Sequence, residues 1–114
     1  MLIFQGIKKS TTKDKLYTAI FYDNETKTVK KVNFGLKGGS QYPTHKNIEV
    51  RNNYIKRHMK DLDTNDPTRP GYLSIFILWN KKTLKASLAD YKKRYNYYLK
   101  TGKFIKTIPN SPLS

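Results

Sequence analysis

Tyr72-Leu73-Ser74-Ile75-Phe76-Ile77-Leu78-Trp79 is apolar almost throughout and ends in the chain's only tryptophan. A run this continuous cannot face water, yet it is far shorter than the roughly 20 residues a membrane-spanning helix needs. It is therefore core, as a short helix or a buried strand, and periodicity alone does not separate the two. The segments before and after it are half-apolar and need a surface to dock on. Trp79 is expected near the centre.

Upstream, Leu2-Ile3-Phe4 begins a short strand and Gly6 to Lys15 reads as a polar loop. Leu16 to Tyr22 is rich in aromatic and β-branched residues, which favours a strand. Asp23-Asn24-Glu25-Thr26 is a turn, because Asp and Asn bond their own backbone and tolerate left-handed geometry. Lys27 to Phe34 alternates through Thr28, Lys30 and Val32, with Val29 and Phe34 out of phase, and closes a hairpin. Its lysine-rich solvent face discourages edge-to-edge pairing.

After the glycines at 35, 38 and 39, Pro43 biases Tyr42 away from helix, and Thr44 or Asn47 can cap the next helix. Ile48, Ile55, Met59 and Leu62 form a helical stripe with one member missing near Arg51 or Asn52. That helix should stop near Lys60, where Asp61 to Gly71 brings loop residues. Beyond Trp79, Thr83 is an N-cap. Leu84, Leu88, Tyr91, Tyr95 and Tyr98 then mark an amphipathic helix of about four turns, ended by Gly102. Trp79, Leu84 and Leu88 are the predicted structural core. The length predicts one α+β domain over 1–102: an N-terminal β-hairpin or small antiparallel sheet packed against two or three helices. Residues 103–114, with Pro109 and Pro112, are expected as an extended tail that orders on a partner.

Charge is the strongest functional signal. The chain has 23 Lys and Arg against 8 Asp and Glu, a net charge of +15 over 114 residues. Residues 1–57 carry 12 basic and 4 acidic side chains and residues 58–114 carry 11 and 4, so no detachable arm holds the excess. Ordinary solubility needs a charge magnitude of only about 2–8, and such self-repulsion points to a polyanionic partner. Lys46, Arg51, Lys56, Arg57 and Lys60 on the first helix are candidate phosphate contacts, with Lys85, Lys92, Lys93 and Arg94 on the last. Tyr54, Tyr91, Tyr95, Tyr97 and Tyr98 among them can stack on single-stranded bases, although tyrosines at helical spacing more often form core. Lys37, Gly38, Gly39 and His45 form a candidate phosphate loop through backbone N–H groups.

Other chemistries lack their residues. Without cysteine there is no disulfide, thiolate metal site or cysteine nucleophile. His45 and His58 have no partners at zinc-ligand spacing. Asp61-x-Asp63-x-Asn65 opens like a calcium loop, but Asp66 stands where glycine is required and Tyr72 where a bidentate Glu belongs. Lys37-Gly38-Gly39-Ser40 lacks the Walker A length and ending. The expectation is a non-enzymatic protein with no catalytic residue, cofactor, metal, membrane span or small-molecule substrate. Met1-Leu2-Ile3-Phe4 is too short for a signal-peptide core, so a soluble, non-secreted protein is expected.

Val32-x-Phe34-Gly35-x-Lys37-Gly38, Tyr42-x-x-His45-Lys46, Arg51-x-x-Tyr54-Ile55-x-Arg57-His58 and Leu78-Trp79-Asn80-Lys81 occur in order, followed by Leu84-x-Ala86-Ser87 and Arg94-Tyr95. Over residues 29–96 this series resembles a family of small basic proteins encoded by nucleocytoplasmic large DNA viruses and some algae. The chain departs from that pattern between Asp61 and Gly71. The resemblance implies a viral origin and lends no catalytic residues. With the charge, it suggests a virion-associated protein that binds nucleic-acid backbone, DNA foremost, without sequence specificity. It would be found in the virion and in viral factories of the cytoplasm or nucleus. The alternative is a minor capsid or cement protein whose positive surface meets acidic capsid protein while the tail wedges between subunits.

Overall fold

The computed structural model describes residues 1–114. Its contacts divide the chain into two compact units, Met1–Gly39 and Ser40–Ser114. The class is the expected α+β: a three-stranded antiparallel sheet followed by four helices, two of them single turns.

In the first unit, β1 (Leu2–Lys9), β2 (Lys15–Asp23) and β3 (Thr28–Leu36) form a meander in that order. β1 runs through the predicted loop because Gly6, at φ +131°, absorbs a register shift after Phe4. A side chain would be strained there, and the bulge realigns the rest of the strand with β2. The turn forms as expected: Asp23 Oδ1 accepts the N–H groups of Glu25 at 2.9 Å and Thr26 at 3.4 Å. Phe34 is not out of phase. It shares the face of Val32 and Lys30, opposite Tyr17, Ala19 and Phe21, with Phe4 on the same face. Phe4, Ala19, Phe21 and Phe34 are all buried. On the opposite face, Thr18 Oγ1 donates to Asn33 Oδ1 at 2.6 Å, while Asn33 Nδ2 donates to Thr12 at 3.0 Å.

The second unit opens with α1 (Tyr42–His45) and α2 (Ile48–His58). Tyr42 is helical despite the proline after it. A proline in the first turn lacks only an N–H that would be unpaired anyway. Asn47, not Thr44, caps α2 by accepting from Glu49 and Val50 N–H at 3.0 and 3.2 Å. A 3₁₀ turn over Met59–Thr64 continues the helix. α3 (Pro70–Leu73) then runs straight into a π-helical turn, Ser74–Leu78. The apolar run is thus a helix, buried on all sides from Tyr72 to Asn80. α4 (Leu84–Thr101) is capped by the Thr83 side chain and closed at Gly102. It is a turn longer than expected, and it buries Ser87, Tyr91 and Tyr95. Leu84 and Leu88 are only half-buried, so they are not the core residues that their spacing suggests.

Aromatic rings share this core with Ile55, Leu62, Leu73, Ile75, Ile77 and Leu78. Phe104 meets Tyr72 at 5.3 Å, Phe76 at 5.0 Å and Tyr91 at 6.0 Å between centroids. The phenol tips are satisfied by backbone: Tyr72 donates to Leu62 O and Tyr91 to Pro67 O, each at 2.6 Å. These bonds tie the 59–68 segment to the helices above it. The predicted free tail is built into this core, with Phe104 and Ile108 buried.

Gly71 lies against Asp61, where an added Cβ would sit 2.7 Å from the Asp61 Cβ. Gly71→Ala should therefore destabilise the protein by about 1–3 kcal/mol, read as a lower urea midpoint; an unchanged midpoint would contradict this packing. Burial also raises the phenol pKa of Tyr72 and of Tyr95 to about 12 and pushes that of Tyr91 still further in the same direction. The folded values exceed the free phenol's, so stability is intact below pH about 10 and falls as pH rises from there towards about 12. In a spectrophotometric titration these three phenols should ionise after the others in the native protein and together with them in denaturant.

Candidate nucleic-acid interface

The nine cations proposed from the sequence do not share one environment. Arg51, one turn into α2 from the Asn47 cap, faces inward and is only 6% exposed. Its Nη1 donates to Asn80 O at 3.1 Å, and Nη2 donates to Pro109 O at 3.2 Å and Asn110 O at 3.0 Å. Nε donates to Asn52 Oδ1 at 3.0 Å, and the guanidinium lies 5.4 Å from the Tyr42 ring centroid. Desolvation lowers its pKa from the usual value, but an arginine stays charged. Arg51 is therefore a correction. It occupies the gap in the α2 stripe and joins α2 to Asn80 and to the C-terminal segment, so it does not stand among the exposed cations of α2. Ile48 and Met59, assigned to that stripe, are exposed instead.

Arg94 is a second correction. Its Nε donates to Asp90 Oδ2 at 2.6 Å and its Nη1 to Ile105 O at 2.7 Å, with the side chain 11% exposed and 5.0 Å from the Phe76 ring centroid. Asp90 in turn accepts from Asn80 Nδ2 at 2.7 Å. Asn80, 1% exposed, keeps a buried Oδ1 with no partner.

The candidate phosphate loop does not survive either. Lys37 N–H donates to Asp14 O and Gly39 N–H to Leu36 O, both at 3.0 Å, so these groups are used to close the turn after β3. His45 belongs to the other unit. Its Nδ1 accepts the Asn47 N–H at 2.9 Å, its ring lies 5.4 Å from Trp79, and its Nε2 is buried without a partner. The imidazole therefore helps close the chain between α1 and α2. Of the candidate stacking tyrosines, Tyr91 and Tyr95 are buried. Tyr54 is already sandwiched, parallel to Trp79 at 4.2 Å and stacked on His58 at 4.3 Å. Only Tyr97, at 43%, is well exposed.

Seven of the nine remain at the surface: Lys46, Lys56, Arg57, Lys60, Lys85, Lys92 and Lys93. On α4 they form a pattern. At about 100° per residue, Lys85, Lys92 and Lys93 fall on the arc opposite Tyr91 and Tyr95, and Lys100 joins them. The four lie within roughly 100° of arc along about 22 Å of helix. Lys100 is absent from the sequence-derived set, although its spacing of seven and eight from Lys93 and Lys92 becomes legible once the helix is taken to Gly102. The carboxylate of α4, Asp90, is turned away onto Arg94 and Asn80. On α2 the exposed cations share their surface with Glu49, so the basic field there is weaker. No group of three His, Asp or Glu side chains is placed to hold a metal ion, and no helix is long and apolar enough to cross a membrane.

Arg51→Lys tests the internal role. An ammonium on a flexible stem cannot serve three carbonyls in the geometry of a guanidinium fork, and buried acceptors left unpaired cost about 1–3 kcal/mol each. The variant should lose roughly 3 kcal/mol in urea denaturation; retention of the full midpoint would place Arg51 outside the fold's support.

A family of unknown function (DUF5754) matches residues 6–58, under half of the chain. The match takes in most of the sheet together with α1 and α2, and stops before Trp79 and α4. No curated protein and no solved structure matches the chain.

Proposed function

We propose that the protein binds nucleic-acid backbone without sequence specificity, as a non-enzymatic, virion-associated component of a large DNA virus. The observation that carries the binding is the α4 stripe: Lys85, Lys92, Lys93 and Lys100 exposed along one side of a single rigid helix, with the helix's own carboxylate facing elsewhere. Lysine ammonium groups spaced along about 22 Å cover roughly six phosphate steps of a duplex strand. They act as point charges, which supports contact with phosphates over sequence recognition. Lys46, Lys56, Arg57 and Lys60 add positive field from α2 and its flanks. The viral assignment rests on the ordered sequence pattern between residues 29 and 96. A cement protein finds less support, because the segment it would insert between capsid subunits is held by Arg51 and buried through Phe104 and Ile108.

Binding to a random-sequence duplex across a salt titration is the test. Replacing the four α4 lysines by glutamine should flatten the log–log salt slope by about 3.6, the counterions released by four phosphate contacts. Circular dichroism should be unchanged, since all four side chains point to solvent. An unaltered slope in that variant would remove α4 from the interface.

A further inference from the structure

Arg51 is a buried cation held by neutral oxygens alone. Its hydrogen-bond partners are one amide side chain and three backbone carbonyls, with no carboxylate among them. A buried charge ordinarily has a counter-charge, because desolvation is costly without one. Four hydrogen bonds also leave over one of the guanidinium's five N–H donors. The arginine lines a cavity of about 270 Å³ together with Asn80, Lys81, Lys82, Ile48 and Asn110. No acidic residue lines it. Lys81 and Lys82 are exposed at its edge, outside the α4 stripe. Three cations around a small recess, one of them fixed in place by the fold, make a receptor for a compact anion.

We propose that this recess between α2, the 80–82 segment and the C-terminal segment is a phosphate-binding site. The phosphate enters over Lys81 and Lys82 and reaches the spare Arg51 donor, supplying the counter-charge the buried guanidinium lacks. Two sources carry this chemistry: free inorganic phosphate, and a terminal 5′-phosphate on a nucleic-acid strand. The site is separate from the α4 stripe and does not depend on the stripe binding a duplex.

The test is thermal denaturation of the full chain against inorganic phosphate, with chloride at matched ionic strength as reference. It is run on the native protein, on K81A/K82A and on the four-lysine α4 variant. The substituted side chains are exposed, so both variants keep the fold, and Arg51 itself is left intact. A saturable rise in Tm with phosphate is expected in the native and α4-variant proteins, and its loss in K81A/K82A. Strand binding is then compared with and without a 5′-phosphate. Tighter binding of the phosphorylated strand, abolished in K81A/K82A, identifies the strand end as the source; equal binding beside a saturable Tm response identifies free phosphate. A response to phosphate no greater than to chloride, with no effect of the 5′-phosphate, overturns the site while leaving the α4 result untouched. A response undiminished in K81A/K82A overturns it as well.

Discussion

One guanidinium holds three parts of the second unit together. Arg51 reaches from α2 to Asn80 at the end of the apolar helix, and to Pro109 and Asn110 in the last turn of the chain. Hydrogen bonds from a charged donor are worth about 1.5–3 kcal/mol each, more than neutral ones, and here they offset the cost of taking the cation out of water. Asn52 adds a further bond from α2 to the Asn110 carbonyl at 2.8 Å. With that segment tied down, Phe104 and Ile108 stay in the core, and Phe104 completes the aromatic cluster of Tyr72, Phe76 and Tyr91. A chain so rich in cations thus uses one of them as an internal fastener.

The two kinds of cation divide accordingly. Arg51 and Arg94 present planar forks to backbone carbonyls and lie near the faces of Tyr42 and Phe76, arrangements a lysine cannot copy. The lysines of α4 point outward as mobile, hydrated charges. The positive surface and the stable interior are thereby decoupled. Lys85, Lys92, Lys93 and Lys100 can meet a polyanion without any rearrangement of Tyr91 and Tyr95 on the opposite side of the same helix.

Much of the fold is legible in the residues. Leu16 to Tyr22, the Asp23 turn, the Thr83 cap and the Gly102 stop all obey local rules that tertiary context leaves alone. The errors share a cause, which is polarity taken as a guide to position. Arg51 reads as a gap in an apolar stripe because no local pattern says that a cation will find carbonyls 58 and 59 residues further on. Hydropathy prefers Leu84 and Leu88 to Ser87 for the same reason. Ser87 is fully buried because its hydroxyl accepts the Lys81 N–H at 2.9 Å, a partner that hydropathy cannot show. Gly6 looks like a loop residue because a bulge and a turn ask for the same backbone freedom. At the interface, charge is visible in the residues and its accessibility is not. Of nine candidate cations, the fold withdraws both arginines that have carbonyls within reach.

The most direct measurement is a two-dimensional NMR titration of the isotope-labelled protein with a random-sequence duplex lacking 5′-phosphates, following backbone amides, lysine side chains and the Arg51 Nε–H together. If the account is right, the shifts concentrate on Lys85, Lys92, Lys93 and Lys100 and their neighbours on the exposed arc of α4. Under saturating duplex the Arg51 Nε–H and the amides of residues 103–110 keep their positions. If instead the Arg51 resonance moves with residues 103–110 while α4 stays silent, Arg51 is not the internal fastener and the binding surface lies elsewhere.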